Sequence, residues 1–232
     1  MSHTPIFADR IHAGEELAQV IHDLLTQQTI DSGVKPVPIV YALPRGGLPV
    51  AAPIARLLGC PLTVVVAKKI SHPENPELAI GAVTSCGNVL WTEQKLFRPK
   101  QDVRWREVAL NKALKQAKSL EEQLISACPQ VSTKDATAIL VDDGIATGMT
   151  MAVAATAIKA LSPAAIWLCT PVAPQKLLPW LNQWGDRVIV LKTPESFWSV
   201  SNFYAQFPQV NTLEVIRYLQ QQKTIANTDS CE

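Results

Sequence analysis

Several things are scarce in this chain, and each scarcity excludes a class. The five cysteines, Cys60, Cys86, Cys128, Cys169 and Cys231, are odd in number, scattered, and form no C-x-x-C pair. A disulfide framework and a thiolate metal site are therefore excluded, and reduced thiols are expected. The four histidines, His3, His12, His22 and His72, show no metal-ligand spacing either. Charge of one sign is not in excess: 21 Lys+Arg stand against 20 Asp+Glu. No basic surface for nucleic acid is implied. No apolar run is long enough to span a bilayer. The opening stretch MSHTPIFADRIHAGEE has no apolar signal core, so a cytoplasmic protein is expected. Internal repeats and low-complexity linkers are also missing.

What is there is an ordinary globular balance, with 47% hydrophobic and 18% charged residues in 232. That is enough for one α/β domain with a sizeable core. Five short runs are rich in β-branched residues: VPIVYAL (37–43), PLTVVVAKK (61–69), ATAILVDD (136–143), AAIWLCTPV (164–172) and DRVIVLKTP (186–194). They are apolar throughout rather than alternating, as strands buried on both faces are. Helical stretches fall between them, at about 48–58, 149–161 and 174–184, and another at about 9–28 precedes them. The alternation predicts a mainly parallel, doubly wound sheet flanked by helices.

Two regions break that rhythm. Residues 81–93 read as a hairpin with Cys86-Gly87-Asn88 at its turn. Beyond it, Val103, Leu110, Leu114, Ala117 and Leu124 recur near helical spacing, so one long amphipathic helix is expected over about 101–127. A single domain over 1–225 and a frayed polar tail over 226–232 complete the expected organisation.

The chemistry concentrates in ILVDDGIATGMT (139–150). A strand that runs into a glycine-containing loop and then a helix makes an anion site, because loop N–H groups converge and the helix N-terminus adds partial positive charge. Gly144 and Gly148 permit close approach, and Thr147 and Thr150 offer hydroxyl donors. The loop lacks the G-K-[ST] ending of a nucleoside-triphosphate P-loop, and no G-x-G-x-x-G is present. The acid pair Asp142-Asp143 would repel a bare polyphosphate. It suits sugar hydroxyls, or a metal ion, beside a phosphate held by the loop. The implied ligand is a ribose carrying a phosphate. Carboxylates at a strand end usually cost the fold stability, so removing either is expected to be neutral or stabilising.

With those residues in view, the stretch resembles the phosphoribosyl-pyrophosphate motif of type I phosphoribosyltransferases. PRGG (44–47), after an early strand, resembles the pyrophosphate loop of that fold. Arg45 supplies a fixed cation, and Gly46 and Gly47 expose N–H groups. AKKISHPENPELAIGAV (67–83) resembles the lid that closes over the diphosphate, with Lys68 and Lys69 at its root. It is also similar to a broad group of bacterial phosphoribosyltransferases, as are SFWSVSNFYAQFPQV (196–210) and FADRIHAGEELA (7–18). Lys68 departs from the arginine expected there, keeping charge but not bidentate geometry.

The resemblance implies transfer of a 5-phosphoribosyl group from phosphoribosyl pyrophosphate to a nitrogen nucleophile, a nucleobase or similar heterocycle, with release of pyrophosphate. Asp142, Asp143 and Lys68 would be catalytic. Gly144, Ile145, Ala146, Thr147, Gly148, Met149 and Thr150 would hold the 5′-phosphate. Arg45, Gly46, Gly47, Lys68 and Lys69 would receive the diphosphate. Mg²⁺ is the implied cofactor, bound mainly through the ligand, with Asp142 and Asp143 as the candidate protein ligands. A homodimer in nucleotide and nucleoside metabolism is the implied setting. In hypoxanthine-guanine enzymes an aspartate precedes the Thr-Gly of this loop as proton acceptor. Here that position is Ala146, which disfavours a 6-oxopurine. Phe197, Trp198, Phe203 and Tyr204 could stack on a base or pack the C-terminal segment onto the core. Glu74 and Glu77 could accept protons or be solvated charges. The alternative function is a non-catalytic sensor of phosphoribosyl pyrophosphate or nucleotides built on the same fold.

Overall fold

A computed structural model describes residues 5–72, 74–92 and 103–228. Its centre is a five-stranded parallel sheet in the order β2-β1-β6-β7-β8. The strands are β1 (Pro38–Ala42), β2 (Leu62–Val64), β6 (Thr137–Val141), β7 (Ala165–Val172) and β8 (Arg187–Lys192). Their continuous apolar runs have the cause inferred from sequence. Val40, Ala42, Ile139, Val141, Trp167 and Cys169 face one core, under α1 (Arg10–Ser32), α2 (Gly47–Leu58) and α6 (Thr212–Thr228). The alternate residues Ile39, Tyr41, Ala138, Leu140, Ile166 and Leu168 face a second core, with α4 (Met149–Lys159). A strand buried on both sides has no polar face to show.

The run 61–69 is not one strand. It is cut at Val65 and Val66: β2 completes the parallel sheet, and the chain then turns into β3 (Ala67–His72). With β4 (Asn75–Thr84) and β5 (Val89–Trp91), β3 forms a separate antiparallel sheet, here called the arm. The turn at Gly87 has φ +92°, the left-handed value expected of a Cys-Gly-Asn hairpin tip. The arm is packed on both faces at its root. Ile70, Ile80 and Val83 are buried against α3 (Val103–Leu124), while Ala67 and Ala82 join the core under α4. The stretch expected to be a loop is therefore mostly strand, with β3 and β4 paired out to His72 and Asn75.

The helix ends follow their local chemistry. Asp9 caps α1 by accepting from the His12 N–H at 2.8 Å, and Gly33 ends it in the left-handed conformation. The expected helix over 174–184 is only a 3₁₀ turn and the short α5 (Leu178–Leu181). Helix α6 was not expected from sequence. It opens with a reciprocal capping box in which Asn211 and Glu214 each accept the other's N–H, at 3.0 and 2.7 Å. The tail expected from residue 226 is helical to Thr228. His3, Pro73, Glu93, Gln101, Asp102, residues 229–232 and the Glu77 side chain lie outside the description.

Candidate active site

Chain order and strand order part company between β1 and β6. The crossover from β1 goes to β2 on one side, and the return goes to β6 on the other. In open α/β sheets that switch point leaves a crevice beyond the carboxyl ends of the strands. Two loops enter it. Residues 43–46 follow β1 and contain a cis Pro44–Arg45 peptide. Residues 142–148 follow β6. They approach so closely that a Cβ on Gly46 would lie 2.0 Å from Asp143 Oδ2, and one on Gly47 would lie 2.7 Å from the Val141 carbonyl oxygen. Only glycine lets the PRGG and DDG stretches share this space.

The two carboxylates sit in different environments. Asp143 is held from two sides. Arg10 Nε donates to its Oδ2 at 2.7 Å, and the Tyr204 hydroxyl donates to its carbonyl at 2.6 Å. Arg10 is itself fixed, donating from Nη1 to the Pro208 carbonyl at 2.7 Å and lying 3.5 Å over the Phe207 ring. This is a nearly buried ion pair, with side chains 9% and 15% exposed. Asp142 has no such cation. Its Oδ1 accepts the Asp143 N–H at 2.9 Å. Burial, and then the neighbouring Asp143 charge, push its carboxyl well above the usual range. Tyr204 is also shifted up, by burial first and then by the Asp143 charge, so its hydroxyl stays a donor. The expectation that either acid could be removed without cost therefore fails for Asp143.

Beyond the acids comes the loop expected to hold an anion. Ile145 is buried and gives its N–H to the Val172 carbonyl at 2.9 Å, so it braces the loop rather than serving a ligand. Ala146 and Thr147 are exposed, and Gly148 has φ +77° immediately before α4. The first helical bond is the one from Ala152 to the Gly148 carbonyl. Among the described residues, the N–H groups of Thr147, Gly148, Met149 and Thr150 donate to no backbone acceptor. They form an unsatisfied helix start, the geometry of an anion site, a few residues beyond the acid pair.

Cations close the other side. A cavity of about 470 Å³ is lined by Arg10, Arg45, Gly46, Lys68, Asp143 and Phe207, together with Gln209 and Val210. Lys68 is half-buried on β3, and its ammonium is shifted below the usual lysine range, by burial first and then by the Arg45 charge. Lys69 goes elsewhere. It is exposed and lines a separate cleft with Ser71, His72 and residues of α3. The aromatic residues weighed for stacking have mostly structural partners. Phe203 and Tyr204 are buried with Phe7, Phe197 stacks on Phe203 at 5.2 Å, and Trp198 is 86% exposed.

A family model for the phosphoribosyl transferase domain matches residues 8–207. This chain belongs to that family. It is 30% identical over 214 residues to the Mycobacterium tuberculosis protein named "Putative phosphoribosyl transferase Rv0571c", covering 92% of this chain and 46% of that one. The chain thus spans about half the length of the curated relatives it matches. A crystal structure of TT1426 from Thermus thermophilus is 31% identical. It superposes with a TM-score of 0.73 over 93% of this chain and 98% of its own.

Of the residues expected from sequence in this phosphoribosyl transferase domain, Arg45, Gly46, Lys68 and Asp143 line one cavity, Gly47 abuts the Val141–Asp142 backbone beside it, and Lys69 lines a different cleft. Arg10 and Phe207 were not assigned to the site from sequence, and Tyr204, weighed there for stacking on a base, instead holds the Asp143 carbonyl. Among the described residues no cluster of three or more His, Cys, Asp or Glu side chains could hold a metal. The donor set is two carboxylates, one of them engaged by Arg10. That fits Mg²⁺, which keeps most of its oxygens from water and phosphates and takes one or two from protein.

Proposed function

We propose that this domain transfers a 5-phosphoribosyl group from phosphoribosyl pyrophosphate to a nitrogen nucleophile and releases pyrophosphate. The observation that carries the reading is the contact of Gly46 with Asp143. It brings a cation-bearing loop, a carboxylate pair and an open helix start to one switch point. A ligand with diphosphate, ribose hydroxyls and a terminal phosphate matches these three features in order.

The N–H groups of Thr147 to Thr150 receive the 5′-phosphate, with the Thr147 hydroxyl as a further donor. Asp142 and Asp143 accept from the ribose hydroxyls. Their charge favours the positive character that C1 gains as the bond to the diphosphate oxygen breaks. Arg45 and Lys68 stand as two neighbouring cations, and the leaving diphosphate supplies the negative charge they lack. The electron pair of the broken C1–O bond leaves on pyrophosphate. The nitrogen forms the new C1–N bond and gives its proton to solvent. Asp142 and Asp143 would be the residues to hold Mg²⁺, which when bound would neutralise phosphate charge. Ala146, exposed at the loop, offers the acceptor no proton-accepting group, so the reading disfavours a 6-oxopurine.

The Arg10–Asp143 ion pair favours one alternative, a sensor in which Asp143 is structural and ligand is bound without turnover. Pyrophosphate release from phosphoribosyl pyrophosphate, measured across a panel of pyrimidines, purines and other nitrogen heterocycles, separates the two. Release with at least one acceptor is expected. Tight binding with no release across the panel would favour the sensor.

A further inference from the structure

The cation pair of the crevice does not end there. Arg45 and Lys68 also line a second cavity, of about 610 Å³, whose opposite wall is α3. That wall is a single stripe, Lys112, Lys115, Gln116, Ser119, Leu120 and Gln123, spaced as neighbours on one helix face. It carries two lysines, two amides, a hydroxyl and no acid. The acids of α3 lie off it: Glu121 accepts from the Ser85 hydroxyl at 2.6 Å, and Glu107 and Glu122 do not line the cavity. Among the described residues none of Arg45, Lys68, Lys112 and Lys115 has a carboxylate within ion-pair distance. Four cations thus face one cleft without a counter-charge, in a chain whose net charge is only +1. Like charges gathered this way are favourable only when an anion joins them.

We infer that the α3 wall is a second anion subsite, continuous with the crevice, for a phosphate chain longer than a diphosphate. This rests on the reading above, in which Arg45 and Lys68 receive the diphosphate. The nucleophile is not the occupant. It must reach C1 from the face opposite the departing diphosphate, whereas this cavity lies on the diphosphate side. A phosphate chain seated on Arg45 and Lys68 runs on to Lys112 and Lys115. Such a chain could belong to inorganic polyphosphate or to a nucleoside triphosphate. The cavity has no aromatic side chain and one leucine, so it reads the phosphates and gives a base nothing to stack on. A ligand bound across both subsites occupies the diphosphate position and competes with phosphoribosyl pyrophosphate.

Calorimetric titration with pyrophosphate, inorganic tripolyphosphate and ATP, each without added Mg²⁺, tests this. Tripolyphosphate should bind about tenfold more tightly than pyrophosphate, and ATP no more tightly than tripolyphosphate. Lys112→Gln/Lys115→Gln keeps helix propensity and should fold. In it the tripolyphosphate advantage should vanish, with pyrophosphate affinity and basal turnover unchanged. Arg45→Ala should weaken all three ligands. If the double variant keeps the advantage, or loses equally for both inorganic ligands, the α3 subsite is wrong and the transferase reading stands. If pyrophosphate affinity survives Arg45→Ala, the diphosphate subsite itself is wrong, and the extension falls with it. If ATP binds far more tightly than tripolyphosphate, a base is being recognised and the phosphate-only assignment fails.

Discussion

The crevice joins two regions built on opposite plans. On the parallel-sheet side several groups are held before a ligand arrives. Asp143 is fixed by Arg10 and Tyr204, Gly46 is pressed against it, and Ile145 is tied to β7. On the arm side the root is anchored but the tip is not. Ile70, Ile80 and Val83 are buried, with Lys68 half-buried and Lys69 exposed between them and the main sheet, and toward the tip register shifts interrupt the β3–β4 pairing between Ile70 and His72. The first plan suits groups that must meet a fixed ribose geometry, because preorganised groups cost little ordering when the ligand binds. On the reading proposed above, the second would suit a cover that admits the ligand and then closes.

The largest expected effect comes from breaking the fixed side at its ion pair. Asp143→Asn leaves Arg10 buried against Phe207 without its counter-charge. A loss of about 2–4 kcal/mol is expected, below the full range for buried pairs because a little of each side chain is exposed. Turnover should vanish as well. Asp142→Asn should act in the opposite direction on stability. The folded state raises the Asp142 pKa above its ordinary 3.8. Its contribution is therefore fully present below about that pH and is lost as pH rises through the raised folded value. Above that ordinary value the buried Asp142 carboxyl costs stability, so at pH 7 the Asn variant should melt higher than wild type while still losing activity. Thermal unfolding at pH 7 and at pH 4 checks both signs. Equal destabilisation by the two variants at pH 7 would show that the acids are not in different environments.

Gly46→Ala comes next. The added Cβ would sit 2.0 Å from Asp143 Oδ2 and is relieved either by turning that carboxylate off Arg10 or by moving one loop away from the other. Overpacking of this kind costs about 1–3 kcal/mol. A displacement near 1 Å at a reacting centre can cost about a hundredfold in turnover. Chemical denaturation and steady-state assays read the two effects separately. A variant with wild-type turnover would mean that the two loops need not touch.

Thr147→Val is smaller and should leave stability unchanged, since the side chain is exposed. Phosphoribosyl pyrophosphate should bind more weakly by about 1–2 kcal/mol, the scale for a lost hydrogen bond to a charged group. Unchanged affinity for ribose 5-phosphate would show that the 5′-phosphate is held elsewhere.

Much of the fixed side is legible in sequence because its determinants are local. An apolar run ending in Asp142-Asp143, a loop with Gly148 before a helix, and an Arg-Gly-Gly loop each carry their geometry within a few residues. What is not legible depends on distant partners. Nothing near residue 143 says that Arg10, 133 positions earlier, will pair with it. The break between β2 and β3 is also hidden, since Val64, Val65 and Val66 read as one strand. Only packing against two different sheets divides them. The adjacent Lys68 and Lys69 look equivalent until β3 is formed and they line different cavities. Helix α6 was legible in principle, from the Asn211-x-x-Glu214 capping box.

The smallest effects should come from the adaptable side, and they sharpen the contrast most. Lys68 shares its cavity with Arg45 and Asp143, and Lys69 does not. Lys68→Ala should weaken diphosphate binding by about tenfold, the scale of one charge-assisted contact. Lys69→Ala should change it little. Hydrogen exchange at the arm tip, Ser71, His72 and 74–78, should be faster than at the arm root. There Ile70 and Ile80 are buried against α3. Phosphoribosyl pyrophosphate with Mg²⁺ should slow exchange at the tip, because a diphosphate drawn to Lys68 gives β3 an added tether on the crevice side. Ribose 5-phosphate fills the 147–150 loop but offers Lys68 no diphosphate, so it should leave the tip as it was. In Lys68→Ala the protection by phosphoribosyl pyrophosphate should disappear, while in Lys69→Ala it should persist. Equal protection by both ligands would make the tip respond to the fixed side alone. No protection by either would return the arm to a static wall of the crevice, with Lys68 a cation that binds without closing.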